Sequence, residues 1–455
     1  MKRINKLLIT PLVILFLTAL SACGTLTLAV ETPTAVPTTV QPPTDTPQPT
    51  ATQTISPTAT ATQIPTATTT AAPISSEPVD IGTIHMVDEF NGWGIGKLIG
   101  GSSDMILTTQ DGGQTWDNVT PPHVFDAIGP NNKSAIAYFM NNSQAWVIYF
   151  NSDQSPLGST SAVVWETGDG GQTWTASQPL DIANLQMAFF KPSDIYFSDS
   201  QHGWIMVHLD AGMMHDYVAV FSTSDGGQTW KMVVDPSQNG TDTLPQSFYK
   251  NGMTFLNADT GWIAGDFAGT KPGVFFYKTT DGGKTWANQD LPAPASTPDA
   301  LTSESDACSS YPPQFVDANT GYMLVKCTNL SGSTPTNTAW TYKTTDGGIN
   351  WTPLPALPKG IGSMFFLNNT TGWFLGATST DPTQAVYSIS RTTDGGQTWT
   401  MLIQPNWNGS MDFISDQVGW ITATSGTSQN LEKALVTTTD GGKSWKQLQP
   451  VVILH

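Results

Sequence analysis

Seven spaced copies of one short phrase, seven copies of a partner phrase, and no helical period after residue 80 predict an all-β chain. The architecture expected is a seven-bladed β-propeller of four-stranded antiparallel blades, preceded by a signal peptide and a disordered Thr/Pro-rich stalk.

The elements follow in chain order. Lys2, Arg3 and Lys6 precede an apolar run from Leu7 to Leu20, which ends at Ser21-Ala22-Cys23. A charged start, an apolar middle and a small-residue boundary read as a secretory signal over residues 1–22. The run is too short to span a bilayer comfortably. A Cys directly after Leu20-Ser21-Ala22 resembles the bacterial lipobox, which implies cleavage before Cys23 and attachment of membrane lipid to it.

Residues 31–77 are nearly all Thr, Pro, Ala, Gln and Ser, without Lys or Arg. Such a segment buries too little apolar area to offset its ordering entropy. Residues 23–78 therefore read as the lipidated Cys and an extended linker, and 79–455 as the propeller. In polyproline-like form, at about 3.1 Å per residue, residues 31–77 reach roughly 145 Å.

Without the signal, 15 Lys and Arg face 36 Asp and Glu, a net charge of −21. That balance excludes a nucleic-acid partner. An acidic surface of this kind is first a solubility feature.

The first phrase places Asp at 111, 169, 225, 281, 346, 394 and 440. Each of Asp111, Asp169, Asp225, Asp281, Asp346, Asp394 and Asp440 is followed by Gly-Gly. Five residues after the Asp stand Trp116, Trp174, Trp230, Trp286, Trp351, Trp399 and Trp445. The partner phrase, such as DTGWIAG or TTGWFLG, puts Trp93, Trp146, Trp204, Trp262, Tyr322, Trp373 and Trp420 between 18 and 24 residues before the Asp. Strand-like runs fill the intervals, giving four strands per unit, A to D in chain order. The tail VVILH has no strand assignment.

In Thr-x-Asp-Gly-Gly-x-Thr-Trp the Asp can accept backbone N–H groups and a Gly can take positive φ, which turns strand C tightly into strand D. The Trp of this phrase is expected to pack against a neighbouring sheet, and that of the partner phrase to face the interior of its own blade. The first phrase resembles the Asp-box, or bacterial neuraminidase repeat. With its GW partner, over roughly residues 79–447, it is similar to the propellers of the photosystem II assembly and stability factor family. That resemblance implies a scaffold or assembly-factor role.

Sialidases of this repeat class hold a substrate carboxylate with three arginines, and the mature chain has only Arg391, which excludes that activity. Unit three holds His208, Asp210, His215 and Asp216 in VHLDAGMMHDY. These residue types can ligate a divalent metal, but they follow no metal spacing. We read the segment as a solvated polar loop and expect no metal or cofactor. Cys308 lies just before one strand and Cys327 ends its antiparallel neighbour, so a disulfide or two separate thiols are both compatible with the pattern; an oxidising compartment favours the disulfide.

The long insertions fall between D and A or between B and C, on the face opposite the Asp-box turns. Propellers bind through such loops. Phe125, Tyr249 and Trp407, with the His208–Asp216 segment, are the candidate binding residues there. The sequence therefore reads as a noncatalytic, extracytoplasmic lipoprotein at the cell surface that binds a protein or glycan partner through this loop face. The alternative is an extracellular polysaccharide hydrolase using a pair of loop Asp residues about 6.5 to 9.5 Å apart.

Overall fold

The computed structural model describes residues 75–454, apart from 127, 159, 213, 239–242, 268–272, 304–305, 332, 334, 380–384 and 428–429. The described residues contain strands and turns and no helix.

The first repeat unit forms β1 (Ser75–Met86), β2 (Gly92–Leu98), β3 (Met105–Thr109) and β4 (Thr115–Asn118). The second forms β5 (Lys133–Phe139), β6 (Ala145–Asn151), β7 (Val164–Thr167) and β8 (Thr175–Ala176). The third follows with β9 (Lys191–Phe197), β10 (Gly203–Gly212), β11 (His215–Thr223) and β12 (Lys231–Val234). In the fourth lie β13 (Lys250–Phe255), β14 (Gly261–Phe267), β15 (Phe275–Thr279) and β16 (Ala287–Asn288). The fifth splits its first strand into β17 (Asp306–Ser310) and β18 (Gln314–Phe315), before β19 (Gly321–Asn329), β20 (Thr336–Thr344) and β21 (Thr352–Ala356). The sixth has β22 (Ile361–Phe366), β23 (Gly372–Ala377), β24 (Tyr387–Thr392) and β25 (Thr400–Ile403). The last unit has β26 (Asn408–Phe413), β27 (Gly419–Thr427), β28 (Asn430–Thr438) and β29 (Lys446–Gln447), and the tail adds β30 (Val451–Leu454).

Within each unit the strands pair antiparallel in chain order. Units four and five share one nine-stranded sheet because the end of β14 also pairs with β17. First strands of neighbouring units lie side by side, β5 with β9, β9 with β13, β22 with β26, and β26 with β1. The result is a propeller-like arrangement of four-stranded sheets. Its two ends meet in the first sheet: β30 pairs parallel with β4, Val452 opposite Trp116, and antiparallel with Ser75–Pro78 of β1. Ser75–Pro78, read from the sequence as the end of the linker, are thus the start of β1.

Each Asp-box repeats one hydrogen-bond pattern. In the sixth, Thr392 Oγ1 donates to Asp394 Oδ1 at 2.8 Å, and Thr398 gives its amide to Oδ1 at 2.9 Å and its hydroxyl to Oδ2 at 2.6 Å. The Thr398 hydroxyl and amide hold the Asp394 carboxyl down to about 2. Gly395 and Gly396 both take positive φ, 70° and 89°, where a side chain would be strained.

The box tryptophans pack against a neighbouring sheet as expected, whereas the partner-phrase aromatics face the next sheet and not the interior of their own. Trp373 stacks on Phe413, the last residue of the next unit's first strand, with ring centroids 3.7 Å apart, and its indole N–H donates to Gly441 O of the next Asp-box at 2.9 Å. Trp146 on Phe197, Trp204 on Phe255 and Tyr322 on Phe366 stack the same way. Trp146, Trp204 and Trp420 likewise donate to the box carbonyls of Gly226, Gly282 and Gly112 in the following units, the last of these closing unit seven onto unit one. The box tryptophans enter the same layer from the other side: Trp351 meets Trp262 and Phe276 of unit four edge-on, the Trp174 indole donates to Val119 O of unit one, and Trp230, Trp286, Trp399 and Trp445 also meet the first-strand Phe of their own unit edge-on. The reason is that a single sheet has no interior. An indole on the second strand fills only the space between its sheet and the next.

The segment expected to be a solvated loop is also otherwise. His208 and Asp216 are buried at the end of the β10–β11 hairpin, where His208 Nδ1 and Asp216 Oδ1 lie 2.7 Å apart. Asp216 Oδ2 accepts the amide of Lys250 at 2.9 Å, and the buried Lys250 ammonium donates to the carbonyls of Asp216, Ser247 and Phe248. This cluster ties the hairpin to the connection between units three and four. A long-range partner such as Lys250 leaves no mark on the local pattern of a polar run.

Two outcomes are expected. Trp373 is fully buried and Trp399 only half-buried, so Trp373→Ala should cost about 3 to 5 kcal/mol and Trp399→Ala clearly less; denaturant melts with the opposite order would refute the assignment of the inter-sheet contact to Trp373. Burial pushes Lys250 down to about 7, against the pull of Asp216. Between that value and the ~10.4 of an unfolded lysine, the unfolded chain binds more protons, so this contribution to stability grows as pH rises from 7 to 10 and is lost on returning to 7. Thermal melts across that range should show an upward slope in the wild type that Lys250→Met reduces.

Candidate functional site

The loop face opposite the Asp-boxes carries a cleft of about 810 Å³ in the third unit. Three separate segments build it. The connection after β8 supplies Asp181, Asn184, Leu185 and Gln186; the β10–β11 hairpin supplies Asp210 and Tyr217; the end of β12 and the turn beyond supply Met232 and Asp235–Ser237. Leu185 and Met232 pack on the hydrophobic core beneath, which fixes the walls.

Each carboxylate has its own local support. The pairing of β10 with β11 shifts register between His208 and Asp210, and such a bulge re-aims the side chains around it. His208 is buried, whereas Asp210 is half-buried and lines the cleft, its Oδ1 accepting the amide of Ala211 at 2.8 Å. Asp235 begins an Asx turn in Asp-Pro-Ser-Gln. Its Oδ1 accepts the Ser237 hydroxyl at 2.7 Å and amide at 2.9 Å, and these two bonds hold its carboxyl below the usual range. Asp181 is exposed. Tyr217 is stacked against His215, with centroids 5.8 Å apart.

A cleft of this make-up suits a carbohydrate. Carboxylates and amides bond to sugar hydroxyls, a Tyr face packs on the apolar side of a pyranose ring, and two of the carboxylates can serve as acid and base.

Of the residues singled out from sequence, only Asp210 lines this cleft. His215 is exposed beside it through Tyr217, and Tyr249, also exposed, covers the buried His208 with ring centroids 4.9 Å apart. Phe125 meets Tyr149 edge-on at 5.5 Å and Trp407 meets Trp445 at 6.0 Å, which is local packing of a loop onto its unit. Cys308 and Cys327 are bonded to each other across β17 and β19. Among the described residues no group of three or more His, Cys, Asp or Glu gathers as a metal site would need. Cys23, the signal peptide and the linker up to residue 74 lie outside the described residues. Asp181, Asp235 and Tyr217 were not recognisable beforehand: the chain has thirty Asp, and only the turn-forming Asp-Pro-Ser-Gln gave a local signal.

The family described as photosynthesis system II assembly factor YCF48 matches residues 180–303. A xyloglucanase from a Paenibacillus species is 27% identical over 262 residues, which cover 54% of this chain and 23% of the relative. The chain thus spans about a quarter of the length of that relative. Among solved structures, a polysaccharide lyase of family PL25, an ulvan lyase, is similar over 83% of this chain and 96% of its own, with a TM-score of 0.45 and 10% identity. A GH74 xyloglucanase from Xanthomonas campestris is similar over 75% of this chain and 61% of its own, with a TM-score of 0.30 and 12% identity. The xyloglucanase relative overturns the expectation of a noncatalytic scaffold and points to the alternative, a glycan-degrading enzyme. The repeat itself is confirmed by both sequence matches: the chain carries a propeller of the BNR, or Asp-box, type.

Proposed function

We propose that this chain is a carbohydrate-active enzyme, a glycoside hydrolase that acts on a polysaccharide of the xyloglucan class. The observation that carries the reading is the cleft on the loop face lined by Asp181, Asp210 and Asp235 together with Tyr217. The xyloglucanase relative supplies the substrate class. We read the scaffold as a seven-bladed propeller, one blade per repeat unit, held outside the cytoplasm by lipid on Cys23 and the Thr/Pro-rich linker. An anchored enzyme of this kind works on polymer at the cell surface.

The chemistry divides between two carboxylates. Asp235, kept ionised by the Ser237 hydroxyl and amide, is the base that takes a proton from the attacking water. Asp210, on the hairpin opposite, donates a proton to the glycosidic oxygen as the bond to the anomeric carbon breaks. Tyr217 orients the sugar ring, and Asn184 and Gln186 bind its hydroxyls.

The test is direct. Purified chain is incubated with xyloglucan, other β-glucans and arabinan, and new reducing ends are counted. Turnover is expected on xyloglucan, falling about 10²- to 10⁴-fold in Asp210→Asn and in Asp235→Asn with unchanged melting temperature. No turnover on any polymer, or full activity in both variants, would refute the assignment.

A further inference from the structure

A second cleft, of about 490 Å³, lies where the starts of β22 and β26 meet the middle of β1, β19 and β27 and the first half of β28. Its charge runs against the rest of the chain. Acidic residues outnumber basic ones two to one, 36 to 18. Yet no acidic residue lines this cleft, and two lysines, Lys326 and Lys433, do. The cleft of the third unit, by contrast, is lined by Asp181, Asp210 and Asp235.

The two ammonium groups are available. Among the described residues neither lysine forms an ion pair within 4.0 Å. Lys326 sits 5.1 Å from the centre of the Tyr311 ring, which positions the ammonium without neutralising it. Asp104, the acid that feels Lys433, is already bridged by Lys97 at 3.4 Å and accepts the amide of Ala135 at 2.8 Å. The rest of the lining is uncharged: Asn408, Ser410 and Thr424 supply amide and hydroxyl groups beside the apolar Ile81, Ile361 and Ala423.

We propose that this cleft binds the uronate residue of an acidic glycan. Lys326 and Lys433 hold the sugar carboxylate by charge-assisted hydrogen bonds, which are stronger than neutral ones. Asn408, Ser410 and Thr424 bond to the ring hydroxyls, and the exposed part of Tyr311 packs on the ring. Two lysines act as point charges and accept any small anion; the amide and hydroxyl groups of the lining are what distinguish a sugar acid from phosphate. The site is separate in residues from the Asp210 cleft, so the inference stands whether or not that cleft is catalytic.

Calorimetric titration of the purified chain tests it with three probes: a glucuronic-acid trisaccharide, the neutral glucose trisaccharide of the same linkage, and inorganic phosphate. The acidic trisaccharide should bind at least tenfold more tightly than either of the others. The Lys326→Gln/Lys433→Gln double variant should lose at least tenfold for that probe, and added salt should weaken the wild type alone. Asn408→Ala, which leaves both charges in place, should weaken the trisaccharide and leave phosphate unchanged. Equal binding of the neutral and acidic trisaccharides, equal binding of phosphate, or full affinity in the double variant with its melting temperature preserved would each overturn the proposal. Because binding is read directly and Asp210→Asn is expected to bind the acidic trisaccharide normally, failure here is distinct from failure of the hydrolase reading.

Discussion

The structure depends on one contact made again and again: an aromatic side chain of the GW phrase laid flat on the first-strand Phe of the next sheet, with its polar edge satisfied by that sheet's turn. Stacking alone would hold two sheets face to face but would leave them free to slide. The added hydrogen bond, from Trp373 to Gly441 O or from Trp204 to Gly282 O, fixes the offset. Close approach is possible because the box glycines carry no side chain: a Cβ on Gly227 would stand 3.0 Å from the Trp146 ring, and one on Gly348 would collide with Trp262. The Gly-Gly pair therefore serves two constraints at once, the left-handed backbone of the turn and the passage of a neighbour's indole.

Much of this was legible in the sequence, and the parts that were not have physical causes. The Asp-box turns were readable because Asp, Gly-Gly and Thr act within six residues of one another, so local chemistry determines them. The sequence does not show that Trp373 faces the next sheet, because which sheet an indole faces is a long-range property, absent from the spacing. His208 looked solvated for the same reason: its partners, Asp216 and then Lys250, come together only when two connections fold over each other. In the candidate site Asp210 stood out through its histidine-rich surroundings, whereas Asp181 and Asp235 lie in loops whose only common property is the place where they end.

The loop face also shows why a repeated scaffold can be catalytic without its repeats being so. The seven box carboxylates are consumed in holding turns; Asp346, Asp394 and Asp440 are each held down to about 2 by the side chains and amides that follow them. A carboxylate so committed, accepting bonds at both oxygens from its own turn, serves the fold. The acids that remain free to react are those outside the repeat, and the connections that carry them vary in length from unit to unit while the sheets beneath do not. Sequence regularity and chemical capacity are thus found on opposite faces of the same molecule.

The joining of β30 to β1 and β4 has a bearing on how the molecule comes into being. The first sheet is made of residues from both extremes of the described chain, so during synthesis β4 emerges with a bare edge and keeps it until every later unit has left the ribosome. Pairing across so long a stretch of chain is slow to nucleate, and a bare edge is open to mispairing with other strands. The early units can nevertheless settle in order, since each GW aromatic needs only its successor. The pairing of Val452 with Trp116 thus joins two stretches of chain separated by every other sheet of the propeller.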